Sequence, residues 1–171
     1  MVIERFQMFN ILKLSLGCGF ATILASCAAP PASATNKDSA KVGKRIEKVK
    51  TTAYTHSEKG GARNAIGKRL ATGQVRSAAS DWSRYPLGTR FRIAGTEEEY
   101  VIDDYGSALV GTNTIDLYKT SRPAMNSWGV RRVDIEIMQW GSEDESLKVL
   151  RPRKGSRLVR RMIAQLESKE S

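Results

Sequence analysis

The sequence contains few of the residues on which thiol and metal chemistry depend. Its 171 residues include two cysteines, Cys18 and Cys27, and a single histidine, His56. Both cysteines precede the first strand-like pattern, so we expect a folded domain with neither a disulfide nor a thiol nucleophile. A lone histidine without cysteine partners makes a zinc site improbable and favours a surface or structural role. No motif for a metal or a nucleotide is present, so we predict no cofactor.

Long apolar runs are equally scarce. The one candidate is LSLGCGFATILAS (14–26), which is shorter than the roughly 20 residues that a spanning helix needs. A basic residue, Lys13, precedes this run, and small residues end it, which is typical of a secretory signal. We therefore predict a signal peptide over residues 1–26, with Met8 as an alternative start.

The end of this segment resembles the lipobox of bacterial lipoproteins. The motif reads Leu24-Ala25-Ser26-Cys27, and in that family the cysteine is lipidated and becomes the mature N-terminus. Ala28 follows it in place of aspartate, which resembles an outer-membrane address. The resemblance implies a lipid-anchored outer-membrane protein that faces the periplasm. A plain signal peptide or a buried helix with a chance cysteine is the alternative.

Charge and composition describe the next segment and the class of partner. The formal net charge of +10 favours anionic partners such as membranes, anionic polysaccharide or nucleic acid. Export disfavours nucleic acid, so we predict none. Residues 27–48 are rich in alanine, proline, serine and lysine without an apolar period, which predicts a flexible tether. The folded domain is expected to begin near Val49.

Period-two alternation dominates the centre of the chain. A capped segment with proline in its first turn and glycine at its end, TSRPAMNSWG (120–129), predicts one short helix. Several short strands with one helix indicate a small β-barrel or sandwich. The predicted strands are VKTTAYTH (49–56), FRIAG (91–95), EYVID (99–103), TIDLY (114–118) and VDIEIMQW (133–140).

Carboxylates stand on both sides of a glycine-rich loop in DDYGSALVGTNTID (103–116). Within TIDLY, Ile115 and Leu117 share one face of the strand, so Asp116 faces away from the core. Spacing alone leaves two interpretations open, a solvated surface aspartate or a functional group in a cleft.

Three ordered segments resemble the three-aspartate domain. This domain is shared by the membrane-bound lytic transglycosylase A family and by cell-wall proteins of spore-forming bacteria. The resemblance covers roughly residues 50–140 and implies a mostly β fold over residues 49–142, a six-stranded double-psi β-barrel with one short helix. It rests on AASDWSRYPLGTRFRI (78–93), VIDDYGSALVG (101–111), TIDLY (114–118) and the later Trp128-Gly129.

The resemblance also implies a site and a substrate, the glycan strands of peptidoglycan. It assigns the catalytic acid and base to Asp116, a stabilising role to Asp104 and the third aspartate to Asp81. Clustered carboxyl groups raise one another's pKa, and glycosidic cleavage needs a protonated carboxyl group near neutral pH. The loop residues expected to admit a sugar ring are Tyr105, Gly106, Ser107 and Gly111.

Departures from the family pattern leave other functions open. Tyr105 stands where the family has threonine, Asp103 adjoins Asp104, and the chain has no room for the second domain of the transglycosylases. A barrel that binds glycan without cutting it, or a lipoprotein that tethers the envelope, therefore remains an alternative. Three aromatic residues either stack on sugar rings or pack in the barrel: Trp82, Tyr85 and Tyr105. Three basic residues either bind carboxylates of the wall polymer or are solvated: Arg63, Lys68 and Arg69.

The C-terminal tail, residues 143–171, combines basic residues with a helical period. Apolar residues recur at helical spacing opposite arginines, which predicts a short amphipathic helix. This helix either lies on anionic envelope lipid or docks on the barrel. The apolar positions are Leu158, Met162, Ile163 and Leu166, and the arginines are Arg157, Arg160 and Arg161.

Overall fold

The structure is a computed structural model, and it describes residues 42–58 and 61–170. The predicted signal peptide, Cys27 and most of the predicted tether lie outside the described residues. Within those ranges, every helix is too short or too polar to span a membrane.

Six strands close into a barrel. Around it the strands run in the order β1-β5-β2-β4-β3-β6. The β1–β5 and β2–β4 pairs are parallel, and the other neighbours are antiparallel. This closed, mixed topology confirms the predicted double-psi β-barrel. The strands are β1 (Arg45–Tyr54), β2 (Val75–Ala79), β3 (Arg90–Ile93), β4 (Glu99–Asp104), β5 (Thr114–Tyr118) and β6 (Arg131–Gln139).

The barrel core follows the alternation of the sequence. Ile115 and Leu117 of β5 are fully buried, as are Ile135 and Ile137 of β6. Burying a large aliphatic side chain contributes about 1.5–3 kcal/mol, so one face of each strand is firmly assigned to the interior. Asp116 consequently faces the outside of the barrel, as its position in the alternation predicts.

Two strand assignments differ from the sequence-based expectation. β1 begins at Arg45, ahead of Val49, because Ile46 pairs with Ile135 of β6 before a bulge interrupts the register. β2 was not predicted at all, because its sequence VRSAA has small side chains in place of β-branched and aromatic ones. Both strands are fixed by pairing with distant strands, which local pattern does not reveal.

The predicted short helix is confirmed as α1 (Arg122–Trp128) between β5 and β6. The Ser121 hydroxyl accepts a hydrogen bond from the Ala124 amide, and Gly129 ends the helix at φ 60°. The helix carries Trp128 onto the barrel, where its indole N–H donates to Thr51 Oγ1 at 3.2 Å.

The tail forms two helices in place of the single one predicted. They are α2 (Glu143–Leu150), capped by Ser142, and α3 (Arg157–Glu170), joined by a 3₁₀ turn. Met162 and Leu166 are fully buried and belong to the same apolar cluster as the barrel strands. The structure thus shows the docked arrangement, with Arg157, Arg160 and Arg161 on the exposed side of α3.

Candidate functional site

A β-bulge at the end of β4 sets the direction of two adjacent aspartates. Ala78 of β2 pairs with Ile102 and Ala79 pairs with Asp104, so Asp103 is the extra residue. The Asp103 carboxylate accepts a hydrogen bond from Ser77 Oγ at 2.7 Å. Because Ser77 and Ala79 lie on the same face of β2, both aspartates lie on the outer face of the barrel.

Asp116 belongs to the same row of residues. It pairs with Thr52 of β1 on one side and with Ala79 of β2 on the other. Ala79 therefore stands between Asp104 and Asp116, whose Cα atoms are about 10 Å apart at two strand spacings. Only the small Ala79 side chain lies between the two carboxyl-bearing residues, and we call this row of Asp104, Ala79 and Asp116 the carboxylate notch.

Burial raises the pKa of both carboxyl groups of the notch. The pKa of Asp104 rises from 3.8 to about 6, mainly because the carboxyl group is buried. The nearby carboxylates of Asp103 and Asp116 raise it further. The Tyr105 N–H, which donates a hydrogen bond to Asp104 Oδ1 at 2.9 Å, opposes the rise. Burial also raises the pKa of Asp116, while the hydroxyl of Thr52, which donates to Asp116 Oδ1 at 2.6 Å, opposes the rise. Asp104 is therefore suited to holding and releasing a proton near pH 6, and the pKa of Asp116 is shifted in the same direction.

Asp103 supports the notch from a more buried position. It is 8% exposed and accepts hydrogen bonds from Ser77 and from the Asn64 amide at 2.8 Å, through one carboxylate oxygen. Its other oxygen, Oδ1, has no hydrogen-bond partner among the described residues. Burial raises the pKa of Asp103 despite the two donors.

Tyr54 is a functional candidate that the sequence did not indicate. Its hydroxyl is buried without a hydrogen-bond partner in the described part of the chain. Burial and the carboxylates of Asp104, Asp103 and Asp116 all raise its pKa, so the hydroxyl stays protonated close to the three acids. Only the parallel pairing of β1 with β5 brings Tyr54 to this place, so no local motif could have revealed it.

His56 is connected to Tyr54 through Tyr118. It is exposed, and its Nδ1 is 2.9 Å from the Tyr118 hydroxyl. The Tyr118 ring in turn lies 5.6 Å from that of Tyr54. A surface histidine was expected, but its attachment to the site through Tyr118 was not.

Asp81 does not share this row. It is 1% exposed, and one of its oxygens accepts from the Ser83 amide and hydroxyl. The other oxygen accepts from the Gly111 N–H at 2.6 Å. The side chain therefore ties the loop after β2 to the glycine-rich loop. Of the three aspartates, the fold brings Asp104 and Asp116 together and gives Asp81 a bracing position.

The glycine-rich loop is partly covered by basic residues. Tyr105 packs edge-on against Trp82 at 5.0 Å, and its hydroxyl accepts a long bond of 3.4 Å from Arg153. Gly111 adopts φ 83°, and a Cβ there would lie 2.7 Å from the Arg161 guanidinium. The absence of a side chain at Gly111 thus lets the Arg161 guanidinium of α3 pack against the loop backbone. The remaining predicted loop residues are Gly106, which is half-buried, and Ser107, which is exposed.

The other candidate residues fall into two groups. Trp82 and Tyr85 are buried in the core, so the packing alternative is the one observed. The exposed loop that carries Arg63, Lys68 and Arg69 folds back on itself, with the Lys68 N–H donating to Asn64 Oδ1 at 2.9 Å. This turn orients Asn64 toward Asp103.

Residues 42–58 and 61–170 contain few side chains that could bind a metal ion together. No group of three or more histidine, cysteine, aspartate or glutamate side chains is arranged there to hold a metal ion.

Most of the barrel matches a known protein family. Residues 76–139 match the 3D domain, a stretch that runs from β2 to the end of β6 and includes all three aspartates. The chain contains a 3D domain. This family is associated with peptidoglycan-related function. A comparison with curated proteins gave no match.

Proposed function

We propose that this 3D-domain protein cleaves glycosidic bonds in the glycan strands of peptidoglycan, as a lytic transglycosylase does. The observation that carries the proposal is the carboxylate notch, in which Asp104 and Asp116 flank Ala79 with raised pKa values. Membership of a family associated with peptidoglycan supports the choice of substrate.

The reaction needs one carboxyl group that first donates and then accepts a proton. We assign this role to Asp116, which protonates the leaving glycosidic oxygen as the bond to C1 breaks. The resulting carboxylate takes the proton of the sugar's own 6-hydroxyl, whose oxygen bonds to C1 and closes an anhydro ring. No water is consumed, and Asp116 returns to its protonated state.

Asp104 is a second candidate for the proton donor. Its pKa of about 6 means that it retains a proton closer to neutral pH than an ordinary aspartate. If Asp104 donates the proton, activity falls as the pH rises through about 6, and Asp104→Asn abolishes activity. If Asp104 only tunes Asp116, Asp104→Asn leaves reduced activity with a shifted pH profile.

The test is digestion of purified peptidoglycan sacculi by the protein without its predicted signal peptide. We expect released muropeptides to carry anhydro ends, which differ from reducing ends by the mass of one water. Asp116→Asn keeps the size of the side chain and is expected to reduce release by about 10²–10⁴-fold. Asp144→Asn, an exposed position in the first turn of α2, is the matched control and should keep full activity.

Two outcomes would contradict this proposal. Full activity of a folded Asp116→Asn variant would remove that residue from catalysis. Sedimentation of the native protein with sacculi, without release of any sugar, would replace the enzyme with a glycan-binding barrel or an envelope tether.

We also propose that the protein is an outer-membrane lipoprotein facing the periplasm, anchored through Cys27. The lipobox-like Leu24-Ala25-Ser26-Cys27 supports this location, and a periplasmic face would put the barrel next to peptidoglycan.

A further inference from the structure

A cleft lies at the C-terminal end of β5, two residues beyond Asp116. Its volume is about 550 Å³, and Tyr118 forms part of its wall. Tyr118 follows Asp116 by two positions and lies on the same face of the strand. Two residues of strand span about 7 Å, a distance that a sugar chain with an attached peptide can cover.

The lining of the cleft carries an excess of positive charge. Arg76, Lys119 and Arg131 contribute basic groups, and Glu98 contributes the acidic one. The Glu98 carboxylate binds Arg76 at 3.0 Å and Lys119 at 3.3 Å, so it balances one of the three positive charges. Hydroxyl groups of Thr72, Thr120 and Ser127 complete the polar lining.

Lys119 is held in the cleft wall by a hydrogen bond and an aromatic ring. It is 9% exposed, and its ammonium group donates to the Tyr100 hydroxyl at 2.7 Å. The same ammonium lies 4.4 Å from the centre of the Trp128 ring. Burial lowers the pKa of Lys119, which Glu98 partly counteracts. A desolvated ammonium fixed in this way interacts more strongly with an incoming anion than a solvated one.

Arg131 is fixed beside the same ring. Its guanidinium carbon lies 4.5 Å from the Trp128 ring centre. Its Nε and Nη2 donate to the carbonyl oxygens of Trp128 and Ser127, at 2.8 and 2.7 Å. Trp128 thus positions two cations at one cleft, and such preorganisation reduces the entropy lost when a ligand binds.

We propose that this cleft binds a free carboxylate of the peptide attached to the glycan strand, with Arg131 and Lys119 as its cationic partners. The inference rests on the proposed function, because it requires a glycan seated over the carboxylate notch. Two positive charges remain after Glu98 is counted, so the cleft attracts a carboxylate. The peptide is the part of peptidoglycan that branches away from the sugar chain. The cleft would then select glycan that carries acidic peptides.

The test compares two disaccharide-tetrapeptides, one with free peptide carboxylates and one with every carboxylate converted to an amide. Titration calorimetry with the protein lacking its predicted signal peptide measures Kd for each. Because a hydrogen bond to a charged group contributes about 1.5–3 kcal/mol, we expect the free acid to bind at least about 10-fold more tightly. Arg131→Gln should remove most of this preference.

The matched control is Arg92→Gln, which removes an arginine paired with Glu136 on the β3–β6 side of the barrel. It should keep the preference for the free acid. Lys119→Met tests the buried cation, and a purely structural lysine would lower the melting temperature without changing the ratio of the two Kd values.

The outcomes separate this inference from the proposed function. Equal binding of the acid and the amide would overturn the carboxylate subsite and leave glycan binding intact. Binding of neither ligand, at concentrations up to several millimolar, would overturn both. Loss of the preference in Arg92→Gln as well as in Arg131→Gln would show that general charge, not this cleft, selects the acid.

Discussion

At the scale of single residues, the ionised carboxylate of Asp104 in the carboxylate notch lowers the stability of the folded protein, and a mutation can measure this effect. The pKa of Asp104 is about 6 in the folded protein against an ordinary 3.8. The folded state therefore binds this proton more tightly than the unfolded chain, so the free energy of unfolding falls as the pH rises from about 4 to 6. Above that range Asp104 is ionised in both states and the cost is fully present.

Asp104→Asn should relieve this cost. We expect the variant to be more stable than the native protein by about 1–3 kcal/mol at pH 7.5 and nearly equal to it at pH 4. Urea unfolding at the two pH values measures the difference. A variant that is less stable at both pH values would show that the Asp104 carboxylate stabilises the fold.

At the scale of helices and strands, α3 is part of the barrel core. Met162 is fully buried in the cluster that also contains the barrel strands. Truncating a buried methionine typically costs about 2–5 kcal/mol, so Met162→Ala should lower the free energy of unfolding by that amount. Arg157→Gln, on the exposed side of the same helix, should change it by less than about 0.5 kcal/mol.

The result also decides what the tail does. If Met162→Ala leaves stability unchanged, α3 does not rest on the barrel in solution, and the membrane-surface helix becomes the better interpretation. If stability falls as expected, removal of residues 155–171 should unfold the barrel.

Sequence predicted those elements whose local pattern and tertiary surroundings agree. β5 and β6 alternate because one face is the core, and α1 has its own cap and terminal glycine. β2 could not be predicted from its sequence, because its residues are small and the apolar surface is supplied by the two strands with which it pairs. α2 was not predicted because its apolar face consists mainly of Leu147 and Leu150.

The site was predictable to the same extent. Alternation predicted that Asp116 faces away from the core, and the resemblance assigned it to a site together with Asp104. The register that places both beside Ala79 depends on a bulge and on two strand pairings. Tyr54 depends on a parallel pairing across much of the chain. Such non-local contacts leave no mark in the sequence next to the residue.

At the scale of the whole molecule, the two C-terminal helices do more than cover the barrel. Arg153 of the 3₁₀ turn reaches Tyr105, and Arg161 of α3 covers Gly111. The C-terminal segment thus places two arginines along the glycine-rich loop. Part of the net positive charge is thereby placed beside the glycine-rich loop, where it creates a positive potential.

Anchoring is the remaining prediction at this scale, and it concerns Cys27. A single acyl chain holds a protein at a membrane only marginally, whereas a diacylglyceryl cysteine with an added acyl group is held stably. Cys27→Ala should therefore abolish incorporation of labelled fatty acid and move the protein out of the outer-membrane fraction. Cys18→Ala, within the predicted signal peptide, is the matched control and should leave both unchanged. Fatty-acid labelling that persists in Cys27→Ala would overturn the proposal that Cys27 is the lipidation site.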